Sequence, residues 1–249
     1  MKKYLCTVAY EGTEFSGWED NSPLVTVEKV LKEALETVLQ HKVLLEAASR
    51  TDTGVHALGQ LAAFTTSSIL KPLRIQKSVN SLLGGVIAVL SISEVDLEWS
   101  LTNASCKKHY QYSIDNHQVQ LPQNRRISWH VPQPLSMKKM QQAAGYLEGT
   151  HNFRSLCNFR KGLTYKSYER TVELISIQKS DLIRIDVIGE RFLYKMVRNI
   201  AGLIVACGLG DMDPEMIPDL LNQKNRVHAG TTAPAHGLTL MSVQIVCEE

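Results

Sequence analysis

The chain contains 249 residues, of which 44% are hydrophobic, and its formal net charge is only +2 at pH 7. This composition excludes an intrinsically disordered chain, and the length allows one large domain or two small ones. A pI near 8.2 falls short of the strongly basic balance that is typical of nucleic-acid-binding chains.

The N-terminal apolar run ends at Glu11 and Gly12, so it predicts a first strand and is too short for a signal peptide or a membrane span. The cysteines are odd in number, widely spaced and without a C-x-x-C pair, which argues against a disulfide framework and a zinc site. They are Cys6, Cys106, Cys157, Cys207 and Cys247. We expect reduced thiols, no metal and no cofactor.

Thr26 begins the clearest predicted helix, because one apolar face then continues from Val27 to Leu39. The other elements predicted before residue 120 are strands at 43–48, 60–65, 86–93 and 109–114 and a weaker helix at 72–83. Proline-bearing polar segments at 121–126 and 131–134 predict loops and a hinge between two halves of the chain.

Ser136 begins the next predicted helix, which ends before Gly149. The remaining predicted elements are strands at 171–177 and 182–188, a long apolar helix at 192–207, a short helix opened by Asp213 and Pro214, and a final strand at 238–246. This order predicts an α/β (α+β) fold with two sheet-plus-helix halves, residues 1–120 and 121–249.

The segment from Ser49 to Ala57 places the carboxylate of Asp52 close to the cation of Arg50, in a turn marked by Gly54. A nearby guanidinium stabilises a charged carboxylate, which in a concave site acts as a nucleophile or a general base. A surface ion pair that braces a strand-turn-strand connection fits these residues equally well. Residue types alone leave both interpretations open.

The segment SRTDTGVHALGQLAAF resembles the signature of the tRNA pseudouridine synthase A family. Four further segments resemble motifs of that family in the same order: VAYEGTEFSGW, HYQYSI, GERFLYKMVRNIAG and AGTTAPAHGLTL. Separated matches in one order are more specific than any single match. The resemblance therefore covers nearly the whole chain.

The resemblance implies an isomerase that converts uridine to pseudouridine in the anticodon stem-loop of tRNA, at positions 38, 39 and 40. It also implies a homodimer in the cytoplasm and two similar α/β halves, related by a pseudo-twofold axis, with a basic cleft between them. The first half would carry the Asp loop and the tyrosine strand, and the second half the basic helix and the strand of the base pocket. Asp52 would be the catalytic residue.

The resemblance also implies substrate-binding roles for Arg50 and for three further residues. Tyr110 would stack on the extruded base, whereas Tyr112, which lies two residues further along the strand, would be structural. Arg198 would lie beside Asp52, with Lys195 as the competing candidate. Leu240 or Leu238 would form an apolar wall under the uracil, and the alternative for both is a place in the core.

Basic residues outnumber acidic ones only after residue 120. If they share one face they would bind phosphates, and otherwise they form an ordinary solvated surface. The candidates are Arg154, Arg160, Lys161, Lys166 and Arg170, with the run Lys107, Lys108 and His109 before the tyrosine strand.

Three departures from the family pattern concern RNA contacts: Glu19-Asp20 follows Trp18 where Gln is usual, Trp99 to Thr102 replaces a motif that ends in Arg, and Leu83 to Gly85 replaces a Leu-Pro-Asp turn. Within the Asp52 segment, Ser49 replaces the usual Gly. The three departures favour the rival hypothesis of a tRNA-binding or folding protein without catalysis. Intact Asp52, Arg50 and Tyr110 argue against it. A small-molecule hydrolase would need a second catalytic acid and no basic face.

Overall fold

The computed structural model describes residues 1–19 and 23–246, so Asp20 and Cys247 lie outside the described residues. The chain forms two compact units. Unit 1 contains residues 1–106 and the C-terminal strand from residue 239, and unit 2 contains residues 107–238. Among the described residues, no helix has the length and apolarity needed to cross a membrane.

The described residues form ten strands and five α-helices. The strands are β1 (Lys2–Tyr10), β2 (Leu45–Ala47), β3 (His56–Thr66), β4 (Ile87–Val95), β5 (Cys106–Asp115), β6 (Trp129–His130), β7 (Gly149–Asn152), β8 (Glu169–Lys179), β9 (Ile183–Gly189) and β10 (Leu238–Ile245). The helices are α1 (Val27–Leu39), α2 (Pro72–Leu82), α3 (Met137–Leu147), α4 (Met196–Leu209) and α5 (Ile217–Gln223).

The sheet of unit 1 has the strand order β4-β1-β3-β10, with the short β2 also paired to β3. β1 pairs antiparallel with both of its neighbours, and β10 runs parallel to β3. Along β1, buried residues alternate with partly exposed ones, as expected for a strand with one face on a core. Tyr4 on this face lies opposite Phe64, and the two ring centroids are 5.8 Å apart.

The predicted helix after Thr26 is confirmed as α1. The Thr26 hydroxyl accepts a hydrogen bond from the Lys29 N–H at 3.4 Å, which satisfies one of the free donors of the first turn. The helix ends at Gln40, which adopts a left-handed conformation with φ +62°.

The sheet of unit 2 has the strand order β5-β9-β8-β7 and is antiparallel throughout, while β6 pairs parallel with the end of β5. In this register Tyr110 lies opposite Val187 and Tyr112 lies opposite Ile185. Ser136 caps α3 as predicted, since its hydroxyl accepts from the Lys139 N–H at 3.4 Å.

The long apolar helix α4 begins later than the sequence predicts, at Met196 and not at residue 192. Lys195 has φ +60°, which no helical residue adopts. The Tyr194 N–H donates to the Tyr165 hydroxyl at 2.9 Å instead of entering a helical turn. Apolar periodicity continues through residues 192–195, but this tertiary contact decides their conformation.

The two units divide the chain differently from the predicted halves 1–120 and 121–249. The reason is strand pairing: β5 pairs with β9 along most of its length, and β10 lies beside β3. Tyr110 therefore belongs to unit 2 and Leu240 to unit 1, the reverse of the predicted assignment. The short strand β6 lies in a stretch where no element was predicted.

Candidate active site

Asp52 lies in the tight turn between β2 and β3, and its side chain is partly exposed. The Val55 N–H donates to the Asp52 carbonyl at 3.1 Å, and Gly54 at the third position of the turn has φ +79°. Glycine is the residue that takes this conformation without strain. The buried hydroxyl of Thr51 lies 2.8 Å from the Tyr10 hydroxyl, which connects the turn to β1.

The segment from Phe15 to Trp18 packs behind this turn. The Trp18 N–H donates to the Thr51 carbonyl at 3.2 Å, and the Gly54 N–H donates to the Phe15 carbonyl at 3.3 Å. Gly17 has φ +89°, and a Cβ atom there would lie 2.7 Å from the Thr51 carbonyl oxygen. The N-terminal motif and the Asp52 motif, far apart in sequence, thus form one local structure.

Arg50 precedes the turn and is largely exposed, and its Nη1 atom lies 2.9 Å from Oε1 of Glu19. The signature arginine thus pairs with the carboxylate that follows Trp18, a contact that sequence reasoning missed. The sequence carries a signal for this contact, since Glu19 stands where Gln is usual after Trp18. Ser49, which replaces the usual Gly, accepts a hydrogen bond at its carbonyl from the Gln60 side-chain amide at 2.5 Å.

His56 of the same motif is buried, and its Nδ1 atom accepts a hydrogen bond from the Gly12 N–H at 3.0 Å. This histidine therefore fixes the entry to β3. Leu240 on β10 lies opposite Ala57 in the parallel pair and is fully buried, and Leu238 is buried as well.

The two tyrosines of β5 have different surroundings. The Tyr110 ring packs edge-on against Phe192 with a centroid distance of 5.5 Å, and its exposed fraction is 7%. The Tyr112 hydroxyl donates to the Pro234 carbonyl at 2.8 Å, and burial raises its pKa well above the usual range. Tyr112 thus anchors the loop before β10.

Arg198, in the first turn of α4, binds the same loop. Its Nε atom donates to the Ala233 carbonyl at 2.8 Å, while the Ala233 N–H donates to the Arg198 carbonyl at 3.2 Å. The competing Lys195 precedes the helix, and its Nζ atom lies 5.1 Å from the centroid of the Tyr194 ring. The expected approach of Arg198 to Asp52 joins residues of different units and stays a prediction.

A buried polar network, which sequence reasoning missed, centres on Asn199 inside the apolar helix α4. Its amide nitrogen donates to the Leu156 carbonyl at 2.7 Å and to Oδ1 of Asn158 at 2.8 Å. Its Oδ1 accepts from Arg226 at 2.9 Å and from the Thr232 hydroxyl at 2.7 Å. Burial lowers the pKa of Arg226, which also donates to the Gly230 carbonyl at 2.8 Å.

Three tyrosines and three arginines of unit 2 form three cation–aromatic pairs, which we call the tyrosine–arginine surface. The guanidinium-to-centroid distances are 5.3 Å for Arg154 over Tyr168, 5.7 Å for Arg160 over Tyr194 and 5.6 Å for Arg170 over Tyr165. Burial is the main reason that the pKa of Arg170 is lowered, and Arg154 and Arg160 are exposed. This arrangement offers both planar rings for bases and cations for phosphates.

The basic run before the tyrosine strand has partners within unit 2. Lys107 pairs with Glu173 at 2.5 Å, Lys108 donates to the Glu190 carbonyl at 3.0 Å, and His109 lies 2.7 Å from Asp186. This run therefore contributes less free positive charge than its sequence suggests.

The segment that replaces the expected arginine motif is held by Glu46 of β2. The Glu46 carboxylate accepts from the Leu101 N–H at 2.8 Å and the Ser100 hydroxyl at 3.1 Å, and it pairs with Lys3. Burial opposes the lowering of the Glu46 pKa, but the hydrogen bonds and the Lys3 cation outweigh it. The departure at this segment is thus a packed structural feature of unit 1.

Comparison with known proteins shows the family. A family model described as tRNA pseudouridine synthase matches residues 7–102 and 143–244. The tRNA pseudouridine synthase A 2 of Protochlamydia amoebophila is 42% identical over 246 residues, which are 98% of this chain and 94% of that protein. The tRNA pseudouridine synthase A of Pelobacter propionicus is 40% identical over 245 residues, which are 98% of this chain and 99% of that protein. The chain belongs to the tRNA pseudouridine synthase family.

Among solved structures, the archaeal box H/ACA sRNP Nop10-Cbf5 complex matches with a TM-score of 0.39 and 13% identity, over 82% of this chain and 44% of that chain. This likeness is weak, and the family assignment rests on the family model and the curated relatives.

Proposed function

We propose that this protein isomerises uridine to pseudouridine in tRNA, with Asp52 as the catalytic carboxylate. The observation that carries the proposal is the Asp52 turn, which main-chain hydrogen bonds hold against the Phe15 to Trp18 segment in a chain of this family. A reactive carboxylate must be held in place, because small misplacements cost large factors in rate.

In the proposed reaction Asp52 adds to the extruded nucleotide or removes a sugar proton from it, and the bond between N1 of uracil and C1′ of ribose breaks. An adduct with Asp52 breaks again, or the sugar proton returns from Asp52, before the product leaves, so the carboxylate is regenerated. The base then rotates, a bond forms between C5 and C1′, and the C5 proton leaves to solvent while N1 gains a proton. The reaction is an isomerisation and needs no external reductant or oxidant.

We assign base stacking to Tyr110, because a base inside a stem or a stacked loop must be extruded before chemistry can reach it. Its ring contacts Phe192 edge-on, so an apolar partner already supports it. Tyr110→Phe keeps the ring and should retain tRNA binding, whereas Tyr110→Leu should weaken it by about 1 to 3 kcal/mol. Equal affinities for the two variants would contradict the stacking role.

The tyrosine–arginine surface is the proposed place where unit 2 contacts the tRNA backbone and unpaired bases. If its arginines bind phosphates, each Arg→Gln change should reduce the slope of log affinity against log salt by about 0.7 to 0.9. Lys179→Gln, at an exposed position on the last residue of β8, is the matched control and should leave the slope unchanged. Unaltered slopes for all arginine variants would place the RNA elsewhere.

The finer proposals concern target and assembly: uridines 38, 39 and 40 of the anticodon stem-loop, a homodimer, and action in the cytoplasm where tRNA is used. Chemical mapping of pseudouridine positions in treated tRNA would test the targets. Sedimentation of the purified protein with and without tRNA would test the dimer.

Asp52→Asn is the experiment that decides the catalytic proposal. The amide keeps the shape and most hydrogen bonding but removes the charge, so tritium release from C5-labelled uridine in tRNA should vanish while tRNA affinity changes little. Normal release by the Asp52→Asn variant would exclude Asp52 as the catalyst. A wild-type protein that binds tRNA without any release would favour the non-catalytic tRNA-binding function.

A further inference from the structure

Arg50 lies next to the proposed catalytic turn, and its guanidinium forms an ion pair with Glu19. The Arg50 side chain is 74% exposed and the Glu19 side chain 26% exposed, with 2.9 Å between their charged atoms. An exposed guanidinium beside a catalytic carboxylate is a natural partner for a phosphate of bound RNA, because its donors match phosphate oxygens.

The position of Glu19 is set by its neighbour Trp18. The Trp18 side chain is 1% exposed. The main-chain N–H of Trp18 donates to the Thr51 carbonyl at 3.2 Å, and the Trp18 carbonyl accepts from the Glu28 N–H at 3.0 Å. The main chain just before Glu19 is therefore fixed against both the Asp52 turn and the start of α1. Glu19 thus follows directly after a hydrogen-bonded, packed residue, and its carboxylate lies beside Arg50.

A phosphate and the Glu19 carboxylate compete for the same N–H donors of the Arg50 guanidinium. Two anions close to one cation repel each other, so a phosphate that takes Arg50 must displace Glu19 or accept a nearby negative charge. Displacement of Glu19 costs the free energy of the ion pair, and a Glu19 that stays in place repels the phosphate. In either case RNA binds less tightly at Arg50.

We propose that Glu19 is an intramolecular competitor for Arg50, which holds the arginine when RNA is absent and gives it up to a phosphate of the tRNA substrate. This inference rests on the proposed tRNA-modifying function. Glu19 then acts as a specificity residue: RNA with few contacts elsewhere fails to displace it, while a substrate that contacts the remaining surface succeeds. Glu19 has no part in the chemistry, so turnover at saturating tRNA is independent of it.

The test is Glu19→Gln, which keeps the side-chain shape and removes the charge. We expect tRNA affinity to rise about two- to fivefold, the range of an exposed ion pair, and the salt slope to steepen by about 0.7 to 0.9. The kcat at saturating tRNA should stay the same while KM falls. Glu14→Gln removes an exposed carboxylate from the same loop and is the matched charge control, with no effect on the slope.

A double-mutant cycle with Arg50→Gln separates competition for Arg50 from a general charge effect. In the Arg50→Gln background the gain from Glu19→Gln should disappear. The same gain in both backgrounds, an equal gain for Glu14→Gln, or a loss of affinity in Glu19→Gln would each overturn the proposal. Affinity is measured without turnover, so inactive protein that binds tRNA still tests Glu19, whereas retained activity in Asp52→Asn refutes only the catalytic proposal.

Discussion

In unit 1 the turn that carries Asp52 is held mainly by main-chain hydrogen bonds, whereas in unit 2 the loop before β10 is held mainly by side chains. The first turn bonds through the backbone of Phe15, Trp18 and Thr51. The second loop depends on the amide of Asn199 and the guanidinium of Arg226. A backbone-held turn tolerates many side chains but demands glycine where chains approach closely, and a side-chain network demands particular functional groups.

Of the substitutions that test this difference between the two units, Asn199→Ala should lower the free energy of unfolding most. The variant leaves buried partners of the amide without hydrogen bonds, so the free energy of unfolding should fall by about 3 kcal/mol. Chemical denaturation would measure the change. Asn222→Ala, at an exposed position on α5, is the control and should stay within about 0.5 kcal/mol of wild type. A loss as small as that of the control would show that the network does not hold the loop.

Gly17→Ala should destabilise unit 1 by about 2 kcal/mol, because alanine is strained at φ +89° and its Cβ would crowd the Thr51 carbonyl. Since this contact supports the Asp52 turn, turnover should fall more than tRNA affinity. Gly145→Ala on α3 has no neighbouring atom within 4 Å and should instead stabilise the protein by about 0.5 to 1 kcal/mol. Normal stability and rate in the Gly17→Ala variant would show that the contact with Thr51 does not hold the Asp52 turn.

Asp115 is a second residue of unit 2 whose side chain holds a loop, and we expect the smallest change in stability from its substitution. Burial by itself would raise the pKa of Asp115, but hydrogen bonds from Asn124 at 3.0 Å and from the His117 ring at 2.7 Å outweigh it and lower the pKa below its usual range. The ionised Asp115 carboxylate thus contributes fully to the free energy of unfolding above a pH of about 4, and this contribution is lost as the pH falls through the lowered pKa.

Asp115→Asn should cost about 1 kcal/mol near neutral pH and should flatten the acid side of the stability profile. Asp181 is exposed between β8 and β9, and Asp181→Asn should change neither the stability at neutral pH nor the acid side of the profile. An unaltered dependence of stability on acid pH in the Asp115→Asn variant would show that the Asp115 carboxylate does not stabilise unit 2.

Local elements were largely predictable from sequence, since helical and strand periodicity are properties of neighbouring residues. The cap at Thr26, the cap at Ser136 and the strand around Tyr110 agree with the structure within a few residues. The position of Asp52 in a turn between two strands was also predicted correctly. The Glu19 partner of Arg50 was not, because an ion pair depends on which distant segments pack together.

The family, the turn that carries Asp52 and most helices and strands follow from the amino-acid sequence, because short motifs and periodic apolar residues encode local structure. Long-range pairing is the reason that the chain enters its second unit at residue 107 and returns to the first at residue 239. A tertiary contact is also the reason that α4 starts only after Lys195, where a bond from Tyr194 to Tyr165 overrides apolar periodicity. These features arise from pairing between segments far apart in the chain, and no local pattern specifies such pairing.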